Sequence, residues 1–397
     1  MAAEVSPQQR RWFRAIGLSA VALASASMLV YLLTQPWGPG MLGDLEIYKG
    51  AISYAFSGQP LYDWVYVHPT VHGLGFTYPP FAALALSWLV PLDLGVAKAI
   101  WVLLTFVVLL ACVLLVVRTG LAARRPDGVV PLVDQVAWTS ALLVAVIFTY
   151  PFLHDMIVGQ VSLFVIALAL FDHQLPRKWQ GVLVGIAGAV KLTPLVFIPY
   201  FLITKRWRQA MVATATFAGA SLIAFAVLPQ ASIAYWTDKL WQTGRVGRTD
   251  STVSKSLLSL LTRLIGDGTT TKIIWLVLAA VVTALALWQA SRSYRQADYL
   301  GAALVVGSLS VAVSPISWPH HQLWLVLVAC WWLLQPGRLP KVLALVLFAI
   351  FWCYPAFDDY QAVSGWLAVA VELPVIAVLI VLGCGSRPRW GRELGER

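Results

Sequence analysis

Four segments of the chain carry residues that could do chemistry. The first, Gly43-Asp44-Leu45-Glu46-Ile47-Tyr48, holds two carboxylates two positions apart. On a helix such a pair points to different sides, so only one acid readily faces a shared site. An acid held where an apolar medium meets water is partly desolvated, which raises its pKa and suits a general base. A solvated loop acid or a helix N-cap is the other reading of Asp44. The second segment, Ser314-Pro315-Ile316-Ser317-Trp318-Pro319-His320-His321, ends in adjacent imidazoles. Neighbours on a regular helix do not chelate one metal, which would want i and i+4 spacing. At a helix start His320 and His321 could instead donate to an anion or orient a carboxylate, with interfacial packing as the alternative.

The third is Lys191, set between two apolar stretches and followed by Thr193 and Pro194. A lysine inside a membrane is costly, so it must face a cavity or a partner. Gln160, after Gly159, is a weaker flag of the same kind. The fourth is Phe76-Thr77-Tyr78-Pro79-Pro80-Phe81, where the double proline fixes the start of a helix and Tyr78 either reaches a substrate or anchors an interface. Glu372, deep in the last apolar stretch, reads as a helix-to-helix hydrogen bond. His154, Asp155, Asp172 and His173 flank apolar stretches and read as interfacial.

The elements that must position these residues are set by composition. The 397 residues are 59% hydrophobic and 12% charged, with a mean hydropathy of +0.77, too apolar for a surface in contact with water. Nineteen Trp and thirteen Tyr suit two membrane–water interfaces. The first apolar stretch (15–33) is too long for a signal-peptide core and has no small-residue cleavage site after it, so it reads as a retained span. The apolar stretches predict an all-α polytopic membrane protein, one domain over residues 1–397, with about 12 transmembrane helices. That count takes 181–190 and 192–203 as one span broken at Lys191 and Pro194. It puts Gly159-Gln160 near the cytoplasmic side; separate spans would need 78–90 to re-enter without crossing.

The net charge of +10 comes from short basic clusters beside apolar stretches, such as Arg124-Arg125 and Arg292 with Arg295. This is the positive-inside pattern, which explains the charge without nucleic acid and puts both termini in the cytoplasm. Two long extracytoplasmic loops follow, about 35–77 and 229–271. The second carries Lys239, Arg245, Arg248, Lys255 and Arg263 against the orientation bias, which calls for an anionic ligand on that face. Cys112, Cys330, Cys353 and Cys384 have no metal or disulfide spacing and read as small buried hydrophobes.

Taken in order, Asp44 after the first helix, Phe76-Thr77-Tyr78-Pro79-Pro80, Gly159-Gln160, Lys191-Leu192-Thr193-Pro194, Ser256-Leu257 with Arg263, and Ser314-Pro315-Ile316-Ser317-Trp318 with His320 and His321 resemble glycosyltransferase family 87 of the GT-C superfamily. These are polyprenyl-phosphate-mannose-dependent α-1,2-mannosyltransferases of actinobacteria. Within the family the chain is most similar to the branch that adds the fifth mannose to phosphatidylinositol mannosides, with the lipomannan-branching one beside it. It departs from the pattern at Ser254-Lys255-Ser256-Leu257, where an Asn is expected beside the Ser-Leu pair, and at Pro319, where a polar residue is expected.

The resemblance implies a GT-C fold in the plasma membrane with its active site on the extracytoplasmic face, where the Asp44 loop and the His320–His321 turn should meet. It implies inverting transfer of mannose from polyprenyl-phospho-β-mannose to the 2-hydroxyl of a phosphatidylinositol mannoside, with no cofactor and no metal. Asp44 and His321 would be catalytic, Asp44 as the base. His320, Lys191, Lys255 and Arg263 would bind the donor phosphate, and Glu46, Tyr48, Tyr78 and Gln160 would contact sugar or acceptor. A transporter or flippase for a lipid-linked anion would use the same cations but needs no base. A structural subunit would leave Asp44 and the His pair without a role.

Overall fold

The computed structural model describes residues 41–67, 72–125, 127–353 and 372–384. The stretch 15–33 and both basic ends of the chain lie outside the described residues, and with them the expectations about the first span and the termini. In chain order the helices are α1 (Gly43–Phe56), α2 (Pro80–Ala85), α3 (Leu94–Ala122), α4 (Leu132–Ile147), α5 (Tyr150–Val158), α6 (Ser162–Phe171), α7 (Val182–Val190) and α8 (Phe197–Ile203). There follow α9 (Trp207–Val227), α10 (Pro229–Thr237), α11 (Leu257–Ile265), α12 (Thr269–Arg295), α13 (Tyr299–Val313), α14 (Leu323–Leu333), α15 (Arg338–Cys353) and α16 (Leu373–Cys384). To this helical fold the first long loop adds a short antiparallel ribbon, Tyr66–Val67 (β1) with His72–Leu74 (β2).

Among the described residues, α3, α9 and α12, with 29, 21 and 27 residues, are long and apolar enough to cross a membrane. A fourth crossing is formed if α4 and α5, bent by 70° at Phe148-Thr149, count as one span. The outward faces of α9 (Met211, Leu222, Ile223, Phe225) and α12 (Ile273, Leu276, Val277, Val281) are exposed and apolar. Such faces belong in lipid. This is a membrane protein.

The centre belongs to α13 and α14. Every residue from Leu300 to Ala312 and from Leu323 to Trp332 is buried, the pattern of a helix that is hydrophobic all round. Small residues let the two approach: a Cβ on Gly307 would lie 2.1 Å from the Trp324 ring. Around them, α13 also packs on α12 and α16, α14 on α15, and α7 on α6 and α9. Of the cysteines, Cys112 and Cys330 are buried, Cys384 is partly so and Cys353 is exposed; all four are unpaired thiols.

Two expectations about spans are decided by helix length. Residues 78–90 form the six-residue α2 and a 3-10 turn, Ser87–Leu89. At a rise of 1.5 Å per residue α2 covers about 9 Å, far short of a bilayer core. Residues 181–203 do break at Lys191, whose backbone is extended (φ −149°), before a 3-10 turn at Thr193–Val196 and then α8. Both long loops attach to the ends of α3, α9 and α12 that lie away from Arg118, Arg124, Arg206, Arg208, Arg292 and Arg295. The two loops touch, with Arg245 Nη2 donating to the Phe76 carbonyl at 2.8 Å.

Candidate active site

Asp44 sits in the first turn of α1, and the chain is turned into that helix by Leu42, which has a left-handed backbone (φ 60°). The Leu42 amide donates to the Ile157 carbonyl at 2.7 Å, tying the start of α1 to the end of α5. Gly159 makes that approach feasible: it ends α5 with φ 75°, and a Cβ there would come within 2.9 Å of the Leu42 side chain. Gln160 follows at once, and its side-chain amide donates to Asp44 Oδ2. The Gln160 carbonyl oxygen is fixed in turn by two phenols, Tyr78 at 2.6 Å and Tyr48 at 3.3 Å. Asp44 and Gln160 therefore share one face of the bundle. Of the two arrangements that the apolar stretches allow, the short helix in 78–90 goes with the one in which this segment does not cross.

These residues border a cavity of about 460 Å³, also reached by His154, Lys191, Arg245, Trp318, His320 and His321. Burial pushes the Asp44 carboxyl up to about 6, against the opposing pull of the Gln160 hydrogen bond and the Lys191 charge. Lys191 Nζ donates to Ser162 Oγ at 3.0 Å, lies 2.9 Å from His321 Nε2 and sits 5.3 Å from the Tyr78 ring centre. The turn Pro319–Gln322 sends its two imidazoles apart, their planes at 88°. His320 Nδ1 meets His154 Nδ1 at 3.2 Å, whereas His321 Nδ1 accepts the Trp318 amide at 3.2 Å. Burial, with the fields of Lys191 and His154, holds His321 well below the ordinary imidazole range, so at neutral pH it is uncharged.

The remaining candidates lie elsewhere. Glu46 is bound by Lys98 of α3 (2.6 Å) and by the Tyr66 hydroxyl (3.0 Å), on the side of α1 away from Asp44. Arg263 is paired in bidentate fashion with Glu372 (2.7 and 2.8 Å) and donates to the Ser251 and Ser254 carbonyls. Lys255 is buried, with its amine on the Thr252 carbonyl. Its segment braces the other motif: Lys255 N donates to Ser317 O at 2.6 Å, and Ser256 Oγ to Pro315 O at 2.7 Å. Asp172 caps the start of α7 through the amides of Gly181 (2.8 Å) and Leu183 (3.1 Å). Sequence reasoning sets His154 aside as interfacial and treats Arg245 as one loop cation among five, yet both border the cavity. Asp155 is buried in the helix turn below it. Among the described residues no group of three or more His, Cys, Asp or Glu is gathered as metal ligands.

Comparisons with known proteins give the chain a family. The sequence model of glycosyltransferase family 87 matches residues 76–315. That span holds Tyr78, Gln160 and Lys191; Asp44 and the His pair fall outside it. A polyprenol-phosphate-mannose-dependent alpha-(1-2)-phosphatidylinositol mannoside mannosyltransferase of Mycobacterium tuberculosis is 33% identical over 293 residues, covering 71% of this chain and 68% of that protein. An enzyme of the same description from Mycolicibacterium smegmatis is 33% identical over 299 residues, with the same shares. A polyprenol-phosphate-mannose-dependent alpha-(1-2)-phosphatidylinositol pentamannoside mannosyltransferase of Mycobacterium tuberculosis is 29% identical over 340 residues, covering 84% of this chain and 75% of that protein. No solved structure matches the chain. By the extent of these matches, the chain belongs to glycosyltransferase family 87.

Proposed function

We propose that this protein is an inverting α-1,2-mannosyltransferase that moves mannose from polyprenyl-phospho-β-mannose to the 2-hydroxyl of a phosphatidylinositol mannoside, adding its fifth mannose. The observation that carries the reading is one cavity bordered by a carboxylate with a raised pKa, a lysine and a neutral imidazole. A transporter for a lipid-linked anion has a use for Lys191 but none for a base beside it.

In the proposed reaction the ionised Asp44 carboxylate takes the proton of the acceptor hydroxyl as that oxygen attacks the anomeric carbon. The new C–O bond forms as the bond from that carbon to the donor phosphate oxygen breaks, and polyprenyl phosphate departs with the electron pair. Attack from the face opposite the leaving group inverts the anomeric centre. Lys191, which donates to Ser162 Oγ, is the cation nearest this exchange, and the His321 ring stands beside it. Tyr48, Tyr78 and Trp318 offer aromatic walls to a sugar. Gln160 orients the base. His320, held by His154, shapes the wall beside His321. The chain's own side chains supply this chemistry without a cofactor.

The site belongs, in this reading, on the extracytoplasmic face of the plasma membrane, with both termini cytoplasmic and about 12 crossings of the GT-C kind. What supports it is the collection of Arg118, Arg124, Arg206, Arg208, Arg292 and Arg295 at the ends of α3, α9 and α12 away from the cavity. The test is to incubate the purified protein with polyprenyl-phospho-mannose and either tetra- or pentamannosylated phosphatidylinositol, and to weigh the lipid products. Gain of one hexose on the tetramannoside is expected. Transfer to the pentamannoside alone would move the acceptor by one mannose, and no transfer to either would sink the reading.

A further inference from the structure

A second cavity, of about 240 Å³, adjoins the one that holds Asp44. Tyr78, Lys191 and His321 border both and form the partition between them; Arg245 reaches both from the loop side. The two cavities differ in charge. Asp44 stands on the wall of the larger one. The smaller is bordered by Lys191, Lys239 and Arg245, and among the described residues no Asp or Glu lines it. Much of its remaining wall is apolar, including Leu192, Leu240, Pro315 and Ile316.

This basic, largely apolar chamber has no part in the proton transfer described above. Yet transfer between two lipids needs two seats, one for a hydroxyl that must meet a base and one for a phosphate that must meet cations. A phosphate in the larger cavity would face the Asp44 carboxylate, and the two anions repel. In the smaller cavity it meets only positive and neutral groups. Arg245 has donors to offer there: two of its five N–H groups go to the carbonyls of Phe76 (2.8 Å) and Lys239 (3.3 Å), while its plane lies 5.1 Å from the Tyr62 ring centre. The Lys239 amine lies 3.1 Å from Asp238, whose carboxylate is half exposed, a weak surface pair that an incoming phosphate can replace. Beside this chamber Trp241 is 74% exposed, as suits an indole at a membrane–water interface. That placement favours an anion arriving on a lipid over one arriving from solution.

We propose that the smaller cavity seats the phosphate and first isoprene units of the lipid donor, that the larger seats the acceptor sugar, and that the glycosyl unit crosses at the Tyr78–Lys191–His321 partition. The proposal rests on the mannosyl-transfer reading, and its test separates the two. Farnesyl phosphate is the probe, with farnesol and inorganic phosphate as controls for chain and anion. Farnesyl phosphate should inhibit transfer competitively against the polyprenyl donor and not against the acceptor, while each control should be at least about a hundredfold weaker, since each lacks half of the recognised chemistry. Lys239→Gln should raise the donor KM and the farnesyl phosphate Ki together by about tenfold, the worth of one charge-assisted contact, and leave the acceptor KM within about twofold. Arg245→Gln should likewise raise the donor KM and the farnesyl phosphate Ki together, and Arg245→Lys should restore most of both, which a merely structural loss would not allow. Competition against the acceptor, an acceptor KM that moves with Lys239→Gln, or inorganic phosphate binding as well as farnesyl phosphate would each overturn the assignment. Should the wild type transfer no mannose, the function fails, but direct binding of radiolabelled farnesyl phosphate to wild type and Lys239→Gln still decides the site: equal affinity overturns it.

Discussion

Two polar assemblies stand on the same face of this apolar protein, and their hydrogen-bonding capacity is used differently. In the brace made by Arg263, Glu372, Lys255 and the serines 251–256, the guanidinium is engaged by a carboxylate and two carbonyls, and the lysine is turned onto a backbone carbonyl. In the assembly around Asp44, an amide meets one side of the carboxylate, and Lys191 and His321 stand beside an open volume of about 460 Å³. Both assemblies contain the residue types that bind phosphate. What separates them is the open volume: Lys191 borders both cavities although it also donates to Ser162, whereas Arg263 and Lys255 border neither. A cation closed by protein groups holds a loop; a cation facing a cavity is available to a ligand.

The largest expected difference between the assemblies is at the base. Asp44→Asn should lower turnover by about 10² to 10⁴-fold, the usual loss for a general base, and leave the protein folded, because an amide of the same shape still meets Gln160. The sign of the pH dependence follows from the raised pKa. The base works only when ionised, so on the acid side the rate should fall as pH drops through about 6, reaching roughly a tenth of its plateau by pH 5. A wild-type profile flat down to pH 5, or a loss of less than about tenfold in Asp44→Asn, would move the base elsewhere.

Next in size is the contrast between two lysines. Lys191→Gln removes the cation that the proposed reaction sets beside the departing phosphate and should cost about 10²- to 10³-fold in turnover. Lys255→Gln removes a buried ammonium that donates to the Thr252 carbonyl and borders neither cavity, and activity per folded molecule should stay within about threefold. Single-turnover rates on purified variants measure both. Equal losses would erase the distinction between the two lysines and return Lys255 to the phosphate.

Arg263→Gln probes the brace itself. It leaves Glu372 without its partner, and breaking a largely buried pair costs about 3 kcal/mol, read as a lower unfolding midpoint in detergent. The variant that survives should keep near-normal turnover at low temperature. A variant as stable as wild type but inactive would place Arg263 at the reacting atoms.

These contrasts also show where sequence reading stopped. Asp44, Lys191 and the His pair were legible because an ionisable group amid apolar residues needs a reason wherever the fold puts it. The opposite orientation of Glu46 followed from i, i+2 spacing, although its partner Lys98, 52 positions on, did not. Arg263 and Glu372 were each flagged singly, and only the packing of the bundle joins them across 109 positions. Arg245 was hidden among five loop cations, since its selection depends on the loop folding back onto Phe76. The side of Gln160 stayed open because counting apolar runs does not tell a span from a short helix: α2 has the composition of a span and about a third of its length, and two prolines that fix its start say nothing of how soon it ends.

The smallest effect expected from a single change, and the most informative in combination, concerns the two phenols behind Gln160. An amide has a donor end and an acceptor end, and nothing in its shape tells Gln160 which to present to Asp44. Tyr78 and Tyr48 decide it by donating to the carbonyl oxygen at 2.6 and 3.3 Å, which leaves the NH₂ facing the carboxylate. Tyr78→Phe removes the shorter bond, but Tyr48 still donates, so the loss should be about 1 kcal/mol, or fivefold in rate. Tyr48→Phe removes the longer one and should cost less. With both phenols gone the oxygen loses its two donors, and the amide is free to turn toward Asp44 by either end. A carbonyl facing the carboxylate repels the ionised form, so the double variant should lose clearly more than the sum of the singles and its acid limb should shift upward from about pH 6. A double-mutant cycle in kcat/KM, repeated across pH, measures both. Strict additivity with an unmoved acid limb would mean that the phenols only line the cavity and that Asp44 is oriented by something other than Gln160.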